Sequence, residues 1–545
     1  MKLNWLLLLV VVSASVFADP GLVSRNDRLY VATRRLAIAS GSQPPPAVTP
    51  ITRGELRAYA TRIDADRLSA PQRAELANLL DDLSPRQTPN ASVAPSVTIE
   101  GYVHLSDDAD EWIYTYPHRR SLLSIPMRFQ PAPVLSIEVD LDWRKNYPTY
   151  PGRETFVPDP VWNVPQDIRE TEVQFPHRAL VSAGGTWWSV QMGRGVVGAG
   201  TVEAGSIFLG DHVEWHEYAM ASVFGRIASY RAIYIDLEAW SESITPTVDR
   251  MMFVHRVDLR PWDWLTLAYS DGFMIHDKTV ELRYLNPLMF MHSWFIPAYG
   301  NSMYNFEVSV RPLPGLEIYA HVAPEQVQSA YERERGYGLT EPEGLAYLAG
   351  AQYVTQIGSA WVTAGTEWVY LDPWMYIGRS VLGSFSYRRL VQAENVGPGG
   401  AKVLVEKSIG YPAGPDHYSA AVYGRADFGP RLLVGASLRY GANGENTLGR
   451  DIQGLTEEQA QVRTPSGDAP EYFVHGRVSA DSRLARFEPF GVPVDLYAGA
   501  LLDVVHVWNN DHVDGASLFD VQFSPYLSAR VSAARPAAVR APAAR

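Results

Sequence analysis

Two stretches of the sequence combine residue types and spacings that could carry out chemistry. The first runs from His212 to Glu217 and places two histidines four residues apart beside two glutamates. On a helix, imidazole and carboxylate groups at this spacing can hold zinc. The order differs from His-Glu-x-x-His, and the sequence offers no third ligand. We therefore favour a wet loop rich in polar and aromatic residues over a metal site.

The second stretch is Gly193-x-Gly195-x-x-Gly198, formally a dinucleotide-binding fingerprint. It follows a predicted strand over Thr186 to Met192, but Ala199 to Ala204 show no helix whose N-terminus could meet a pyrophosphate. We favour a structural role, in which the glycines let the chain bend or pack closely. The chain has no cysteine, no Gly-x-Ser-x-Gly elbow and no recognisable triad. An active site is therefore unsupported, and we expect a protein that is no enzyme, with no catalytic residue, cofactor or metal site.

Charged side chains recur at every second position along several predicted strands. Between Asp249 and Asp271, two such runs flank a short turn at Arg260 to Asp263. In the first run an apolar set alternates with a more polar set, the former being Met251, Phe253, His255, Val257 and Leu259 and the latter Arg250, Met252, Val254, Arg256 and Asp258. Successive side chains leave a strand on opposite faces, so this pattern predicts a hairpin with one apolar face. Such a hairpin suits a transmembrane barrel with lipid outside and water inside.

The alternation recurs from about residue 96 to 532. Short turns at 260–263, 312–315 and 428–430 contrast with long polar segments at 145–167, 332–343 and 441–470. A water-soluble sandwich would show the same alternation. The loop asymmetry, a count of roughly 16 to 20 strands and an export signal favour an all-β outer-membrane barrel, closed and antiparallel, with periplasmic turns and surface loops.

Composition agrees with this class. A formal charge of −13 argues against a nucleic-acid partner, which would need a basic surface. No later segment has the uninterrupted apolar run of a spanning helix, which leaves a closed barrel as the way to satisfy the backbone in lipid. The 29 tyrosines and 15 tryptophans suit aromatic girdles at the membrane interfaces.

Four regions are predicted along the chain. Residues 1–18 form a signal peptide, with Lys2, an apolar run and cleavage after Ala18. Residues 19–95 form a periplasmic helical region and linker. Residues 96–532 form the outer-membrane barrel, and residues 533–545 form a flexible tail rich in Ala, Pro and Arg.

Capping residues locate the helices of the second region. Asp27 and Gly41 bound one predicted helix, since Asp is favoured at the start of a helix and Gly just past its end. Thr52 with Glu55 opens a second helix, and Ser69 with Gln72 opens a third. These short helices cannot make a core of their own, so we place them against the periplasmic side of the barrel.

Several motifs together resemble the Wzi-type capsule-assembly family of outer-membrane barrels. In chain order they are Gly193-Arg194-Gly195 with Gly198-Ala199-Gly200, Ile207 to Gly210, His255 to Pro261, Tyr284 to Leu288 and Gly410 to Asp416. Where that family usually has Gly-Arg-Asp, this chain reads Gly-Arg-Gly. The resemblance implies about eighteen strands, a periplasmic helical bundle and a surface lectin that holds capsular polysaccharide.

The predicted lumen carries the most concrete functional surface. Its polar set comprises Glu138, Asp140, Asp142, Asp236, Glu238, Arg250, Arg256, Arg260, Glu307 and Arg311. One interpretation is a plug-like network of paired charges; another is a hydrophilic path or an anionic-sugar site, because guanidinium groups bind carboxylates. We name as candidate ligand-binding residues Arg194, Arg250, Arg256, Trp187, Trp215 and Trp240. Tryptophans offer flat faces to sugar rings, although they more often anchor a barrel at the interface.

Two functions therefore stand as hypotheses. The first, implied by the resemblance, is a lectin that retains a surface or capsular polysaccharide. The second is an outer-membrane transport channel, porin-like or passing lipids or hydrophobic compounds. Expected partners are outer-membrane lipid, the polysaccharide and the barrel-assembly machinery. Whether the lumen is open or plugged is left open by the sequence.

Overall fold

The computed structural model describes residues 18–105, 119–145, 162–165, 171, 176–200, 202–238, 249–277, 279–286, 300–327, 331, 334–335, 341–393, 401–429 and 431–531. The predicted signal peptide, apart from Ala18, and the predicted tail lie outside these residues. Besides short 3₁₀ turns, four α-helices have their bounds in the described residues: α1 (Arg28–Ser40), α2 (Arg53–Ala60), α3 (Ala70–Asp82) and α4 (Glu457–Ala460). None of the described helices is long and apolar enough to cross a membrane.

Strands make up about half of the described residues. They are β1 (Leu22–Val23), β2 (Ile51–Thr52), β3 (Asn90–Val93), β4 (Ser96–Glu100), β5 (Val103–His104), β6 (Leu123–Ala132), β7 (Leu135–Trp143), β8 (Arg178–Gly184), β9 (Trp188–Gly195), β10 (His216–Phe224), β11 (Ala228–Leu237), β12 (Arg250–Trp262), β13 (Leu265–His276), β14 (Gly300–Leu313), β15 (Leu316–Gln326), β16 (Gly344–Ile357), β17 (Ala360–Leu371), β18 (Ser386–Ala393), β19 (Ala401–Ser408), β20 (His417–Asp427), β21 (Leu432–Asn443), β22 (Glu471–Phe487), β23 (Val494–Trp508) and β24 (Ser517–Val531).

These strands close into one antiparallel barrel. The last strand, β24, pairs with β4 and β5, and β3 and β4 pair with β6 on their other side. The three short segments β3 to β5 therefore act as one interrupted strand, and the barrel has 18 strands. Strands β18 and β19 pair only with each other, as a separate hairpin. The predicted fold class is confirmed. The barrel begins at Asn90, within the segment that the sequence assigns to the linker.

The two ends of the barrel differ as the sequence predicts. Two-residue turns such as Asp263-Trp264 and Pro314-Gly315 join strands at one end, called here the short-turn end. The connections at the other end, the loop end, are much longer. In outer-membrane barrels the short turns face the periplasm and the long loops face outward. Trp262 and Trp264 stack at 5.5 Å between ring centroids on the short-turn end, as an interface girdle requires.

The three N-terminal helices form where the capping residues predict them. The Asp27 side chain accepts a hydrogen bond from the Leu29 amide, and Gly41 adopts a left-handed conformation where α1 ends. The Thr52 side chain caps α2. Ser69 and Gln72 form a full capping box on α3. The helices pack together through an apolar cluster that includes Leu36, Leu56 and Leu79 and reaches Val354 and Trp361 of the barrel wall.

Three segments fill the lumen, and together we call them the plug. The first is the N-terminal segment, residues 18–27 and 42–52. The second is the β9–β10 loop, described at 196–200 and 202–215. The third is the β17–β20 loop, described at 372–393 and 401–416, which contains the β18–β19 hairpin. Backbone hydrogen bonds join the segments: Thr49 pairs with Gly198, and Gly210 N donates to Ile409 O at 2.7 Å.

The plug has an apolar core of its own. Ile207, Phe208 and Leu209 of the β9–β10 loop are fully buried. They belong to one hydrophobic cluster with inward-facing wall residues, among them Ile233, Ile235, Met252, Met274 and Leu348. A Cβ atom at Gly272 would lie 2.7 Å from the Phe208 ring, so the glycine on β13 makes room for that side chain.

This core explains one wrong assignment from the sequence. On β11 we predicted Asp236 in the lumen and Ile233, Ile235 and Leu237 toward lipid. The register pairs Leu237 with Arg250 and Asp236 with Met251, so the three apolar residues face inward and Asp236 lies on the exposed outer side. Because the interior here is a packed plug rather than water, an inward face can be apolar.

Candidate functional site

The buried half of the lumen holds a network of charged side chains. Asp258 is its centre: its carboxylate accepts from Arg256 at 2.9 Å and from Arg231 at 3.0 Å, and lies 3.9 Å from Arg260. Arg256 also pairs with Glu307. All of these side chains are nearly excluded from solvent. Ion pairs taken out of water need such multiple partners, because each charge loses its hydration.

The N-terminal region completes this network from inside the barrel. Glu55 stands at the third position of α2, where the sequence predicts a capping-box residue. Its carboxylate instead faces the lumen and pairs with Arg231. Arg34 on α1 reaches Glu317 on β15 at 2.5 Å, and Glu317 also pairs with Arg311 at 3.3 Å. The helices are therefore bound to the β11–β15 wall by buried charge as well as by apolar contact.

Arg250 binds the plug in a different way. Its guanidinium donates to the backbone carbonyls of Leu382 and Ser384 at 2.8 Å each and of Ser386 at 3.1 Å. These three carbonyls belong to the β17–β20 loop. Arg250 and Arg256, both predicted as ligand-binding residues, thus face the lumen as expected but are engaged by protein groups.

Two of the other predicted residues meet at the loop end. Arg194 and Trp215 form, with Arg389 of β18, a stack that we call the rim cluster: the Arg194 guanidinium lies 4.0 Å and that of Arg389 3.4 Å from the Trp215 ring centroid. Trp215 is only 3% exposed, since the arginines cover its faces. Arg194 also pairs with Glu217 at 2.6 Å and keeps 24% of its side chain exposed.

The remaining two residues lie elsewhere. Trp187 sits in the β8–β9 turn at the short-turn end and is 45% exposed, which suits an interface anchor. Trp240 lies outside the described residues. The structure therefore brings Arg194 and Trp215 together, whereas no described contact joins Arg250, Arg256 or Trp187 to them.

Sequence reasoning missed three important residues: Arg231, Glu55 and Arg389. Arg231 lies on β11, whose inward face was misassigned. Glu55 was read as a helix cap. Arg389 lies in a loop that returns into the barrel, and only its position beside a second arginine in Tyr387-Arg388-Arg389 could have pointed to it.

The two stretches with apparent chemistry have structural places. Gly193 has φ 129°, and a Cβ there would lie 2.1 Å from Ala179 O, so the glycine permits close strand approach. His212 Nε2 donates to Ser408 O at 3.0 Å and so joins two plug segments. Burial lowers the pKa of His212 to about 4. Within the described part of the chain, no group of three or more His, Cys, Asp or Glu side chains could hold a metal ion.

The remaining sequence motifs support the loops. On the outer wall, His255 Nε2 donates to Tyr284 O at 2.8 Å, which joins the His255–Pro261 and Tyr284–Leu288 motifs. At the loop end, Asp416 adopts φ 54° and its carboxylate accepts from the amides of Ser466 at 3.1 Å and Asn446 at 3.2 Å. The motif ending at Asp416 therefore anchors the β21–β22 loop.

Solvent reaches one side of the interior. On β20 and β22 the inward-facing Arg425 and Arg477 keep 52% and 33% of their side chains exposed, and Glu203 of the β9–β10 loop, which faces Arg425 at 3.8 Å, keeps 46%. By contrast, a cavity of about 20 Å³ lies between the plug and the β12–β15 side, where the inward charges are buried. The plug therefore shields the β12–β15 side from solvent more than the β20–β22 side.

Comparison with solved structures agrees with this architecture. Wzi of Escherichia coli, described as an outer-membrane protein involved in group 1 capsule assembly and as a carbohydrate-binding β-barrel, superposes with a TM-score of 0.58 over 93% of this chain and 99% of its own, at 12% identity. OccK3 of Pseudomonas aeruginosa and OccAB1 of Acinetobacter baumannii give 0.41 and 0.39, at 10% and 9% identity over 82% and 81% of this chain and 96% of each of theirs.

At these identities the likeness concerns the fold. No protein-family model matches the sequence, and no curated protein matches it. The chain shares the β-barrel fold of Wzi, as the motifs of the sequence led us to expect.

Proposed function

We propose that this protein is an outer-membrane barrel, exported by the signal peptide of residues 1–18, that binds and retains a surface polysaccharide at its loop end. It acts by binding alone and performs no chemistry. The observation that carries the proposal is the filled lumen. Three segments meet inside the barrel around an apolar core and a buried charge network. A plugged barrel offers its loop end, rather than a pore, as the surface for a large hydrophilic ligand.

The rim cluster is the part of the loop end that we assign to the glycan. Trp215 holds the guanidinium groups of Arg194 and Arg389 over its two faces, and stacking of this kind orients arginine. Arg194 is partly exposed at the outer edge. An oriented guanidinium can donate hydrogen bonds to a sugar carboxylate, which in this proposal takes the place of the present contacts of Arg194 with Glu217 and Pro176 O. Trp143, 43% exposed at the end of β7, adds an apolar face on the same end of the barrel.

The likeness to Wzi supports this class of function, since Wzi is described as a carbohydrate-binding barrel of capsule assembly. The proposal includes two further partners. Outer-membrane lipid surrounds the apolar band, and barrel-assembly machinery inserts it.

Replacing the exposed arginine tests the proposal. We expect Arg194→Ala to lower polysaccharide retention on cells, and to weaken binding of the isolated acidic polysaccharide about tenfold, because one charge-assisted hydrogen-bonding group is lost. Binding is measured with the purified protein, and retention by the cell-associated fraction of the glycan. Arg283→Ala is the matched control, because Arg283 lies in the β13–β14 loop and, among the described contacts, interacts only with its chain neighbours Glu281 and Tyr284. Equal binding by the two variants would contradict the assignment of the rim cluster.

A transport channel is the second candidate, and one observation favours it. Arg425, Glu203 and Arg477 are partly exposed to solvent, which indicates that water reaches the interior on the β20–β22 side. Planar bilayer recordings separate the two functions. Retention without steady conductance supports the polysaccharide-binding role, whereas defined single-channel currents from the wild-type protein would replace it with transport.

A further inference from the structure

The solvated side of the interior becomes drier step by step toward the loop end. Arg425 lies two residues before the short-turn end of β20, and its side chain is 52% exposed. One inward-facing position nearer the loop end, the Arg477 side chain is 33% exposed, and the next inward side chain of β22, His475, is 16% exposed. Phe473 follows at 4%. Solvent therefore enters this side of the lumen from the short-turn end.

A group of side chains, which we call the seal, closes the same side at the loop end. Its members are at most 7% exposed, namely Tyr411, His417, Phe473, Val505, Val507 and Leu518. The last four form one hydrophobic cluster on the inner face of β22–β24. The His417 ring lies 6.0 Å from the Phe473 ring and 5.2 Å from the ring of Tyr411 in the plug, measured between centroids. Wall and plug therefore meet at the seal without a layer of water.

The inner wall between the seal and the short-turn end is mostly polar. On β20–β22 its inward-facing polar residues with partly exposed side chains are Tyr423, Arg425, Ser437, Arg439, His475, Arg477, Ser479 and Asp481. Glu203 of the β9–β10 loop lies opposite, 3.8 Å from Arg425. Polar groups that are not paired within the protein are satisfied by water. We call this hydrated space between the wall and the plug the vestibule.

The plug side of the vestibule is held in place from the wall. Glu367, an inward-facing residue of β17, accepts hydrogen bonds from the backbone amides of Glu203 at 2.9 Å and Ala204 at 2.7 Å. The same carboxylate accepts from the Tyr319 hydroxyl at 2.8 Å. The β9–β10 loop is therefore fixed at a distance from β20–β22, which keeps the vestibule from collapsing.

We propose that the vestibule is a dead end entered from the periplasm: small water-soluble molecules reach Arg477 and His475 and are stopped by the seal. The short turns of outer-membrane barrels face the periplasm. The seal occupies the last two inward-facing positions of its strands at the loop end, so a thin layer of side chains separates the vestibule from the outside. The rim cluster lies at the opposite end, and neither proposal depends on the other.

Thiol accessibility tests the proposal, because the chain has no cysteine and each substitution adds a single thiol. The full-length protein is reconstituted in liposomes and treated with a small charged methanethiosulfonate, which does not cross lipid. Two exposed positions report orientation, Ser359→Cys in the β16–β17 turn and Thr447→Cys in the β21–β22 loop. In a preparation where these two references differ, we expect Ser437→Cys in the vestibule to be modified to the same fraction as Ser359→Cys.

The other outcomes of this experiment contradict the proposal. Complete modification of Ser437→Cys would mean that the vestibule is open at both ends. A fraction equal to that of Thr447→Cys would place its entrance at the loop end. No modification would mean that the space is dry.

Truncating the seal makes the test specific. We expect Phe473→Ala to let the reagent reach Ser437→Cys from the loop end roughly tenfold faster, because losing a large buried ring leaves a cavity in the closing layer. Phe519→Ala is the matched control, since Phe519 lies beside Leu518 but is 54% exposed on the outer face of β24. Equal rates for the two variants would assign closure to other residues and overturn the seal. If Phe473→Ala does not fold, Val505→Ala shortens a smaller member of the same cluster and is judged by the same comparison.

Discussion

The β12–β15 wall and the β20–β22 wall of this barrel have the same alternating strands but different interiors. On β12–β15 the inward charges are almost completely buried, as Asp258 and Glu317 show at 1% side-chain exposure. On β20 and β22 the inward-facing Arg425 and Arg477 remain partly solvated. The plug makes this difference, because the N-terminal segment and the helices bind the first wall. Inward orientation alone therefore does not determine whether a charge is buried.

Removing a central carboxylate of the β12–β15 wall is expected to have the largest effect on the stability of the barrel. We expect Asp258→Asn to destabilise the barrel by about 3–5 kcal/mol, because Arg231, Arg256 and Arg260 would then be buried with one carboxylate fewer. Urea unfolding of the detergent-solubilised protein, followed by gel mobility of unheated samples, measures the change.

The matched variant on the solvated wall is Asp481→Asn. Asp481 faces inward on β22 at intermediate exposure, so we expect a change of less than about 1 kcal/mol. Similar losses for the two variants would show that the two walls are equally buried.

A smaller effect is expected from acid at the contact between two plug segments. Burial lowers the pKa of His212 from 6.5 to about 4, so the folded protein favours the neutral ring. The neutral His212 ring therefore stabilises the folded protein fully above pH 6.5. As the pH falls toward 4, the free energy of unfolding is expected to decrease by on the order of 2 kcal/mol. Hydrogen exchange in peptides around Gly210 and Ile409, which share a backbone hydrogen bond, measures this loss between pH 7 and 4.

His212→Gln is the control for that experiment. Its amide can still donate to Ser408 O but does not titrate in this range, so the acid-induced increase in exchange is expected to shrink. An unchanged pH profile would assign the effect to another group.

The smallest effect is expected on the solvated wall. Arg425 and Glu203 are half-exposed and 3.8 Å apart, and exposed ion pairs contribute about 0–1 kcal/mol. We expect Arg425→Ala to change unfolding free energy by less than about 0.5 kcal/mol. A loss comparable with that of Asp258→Asn would mean that solvent does not reach this wall.

Much of this architecture is predictable from local sequence. Helix ends follow from Asp27, Thr52 and Ser69, because a cap bonds only to amides within three residues of itself. Strand alternation placed Glu138, Arg256, Glu307 and Arg311 correctly in the lumen, since each has at least one polar residue two positions away on the same face of its strand.

The alternation was misleading on β11, where Asp236 was placed inside. Period two separates the faces of a strand but does not say which face is inward. On a barrel filled with water the apolar face must look outward. Here Phe208 and its neighbours provide an apolar interior, so Ile233 and Ile235 face inward without cost.

The candidate site shows the same limit. Arg194 and Trp215 were both predicted; Arg194 lies near the end of β9 and Trp215 directly before β10, so a single loop brings the two together. Arg389, which covers the other face of Trp215, comes from a distant segment, and only the return of the β17–β20 loop into the barrel brings it there.

By itself, the sequence determined the strands, the helix caps, the asymmetric ends of the barrel and most of the inward charges. These properties depend on contacts between residues close in the chain or on a repeat along one strand. Only the tertiary structure decided that the plug fills the lumen. It also decided which charged side chains are buried and which tryptophan rings are covered by other residues. Those outcomes depend on where three distant segments fold back inside the barrel, and the period of a strand carries no information about what fills the space it encloses.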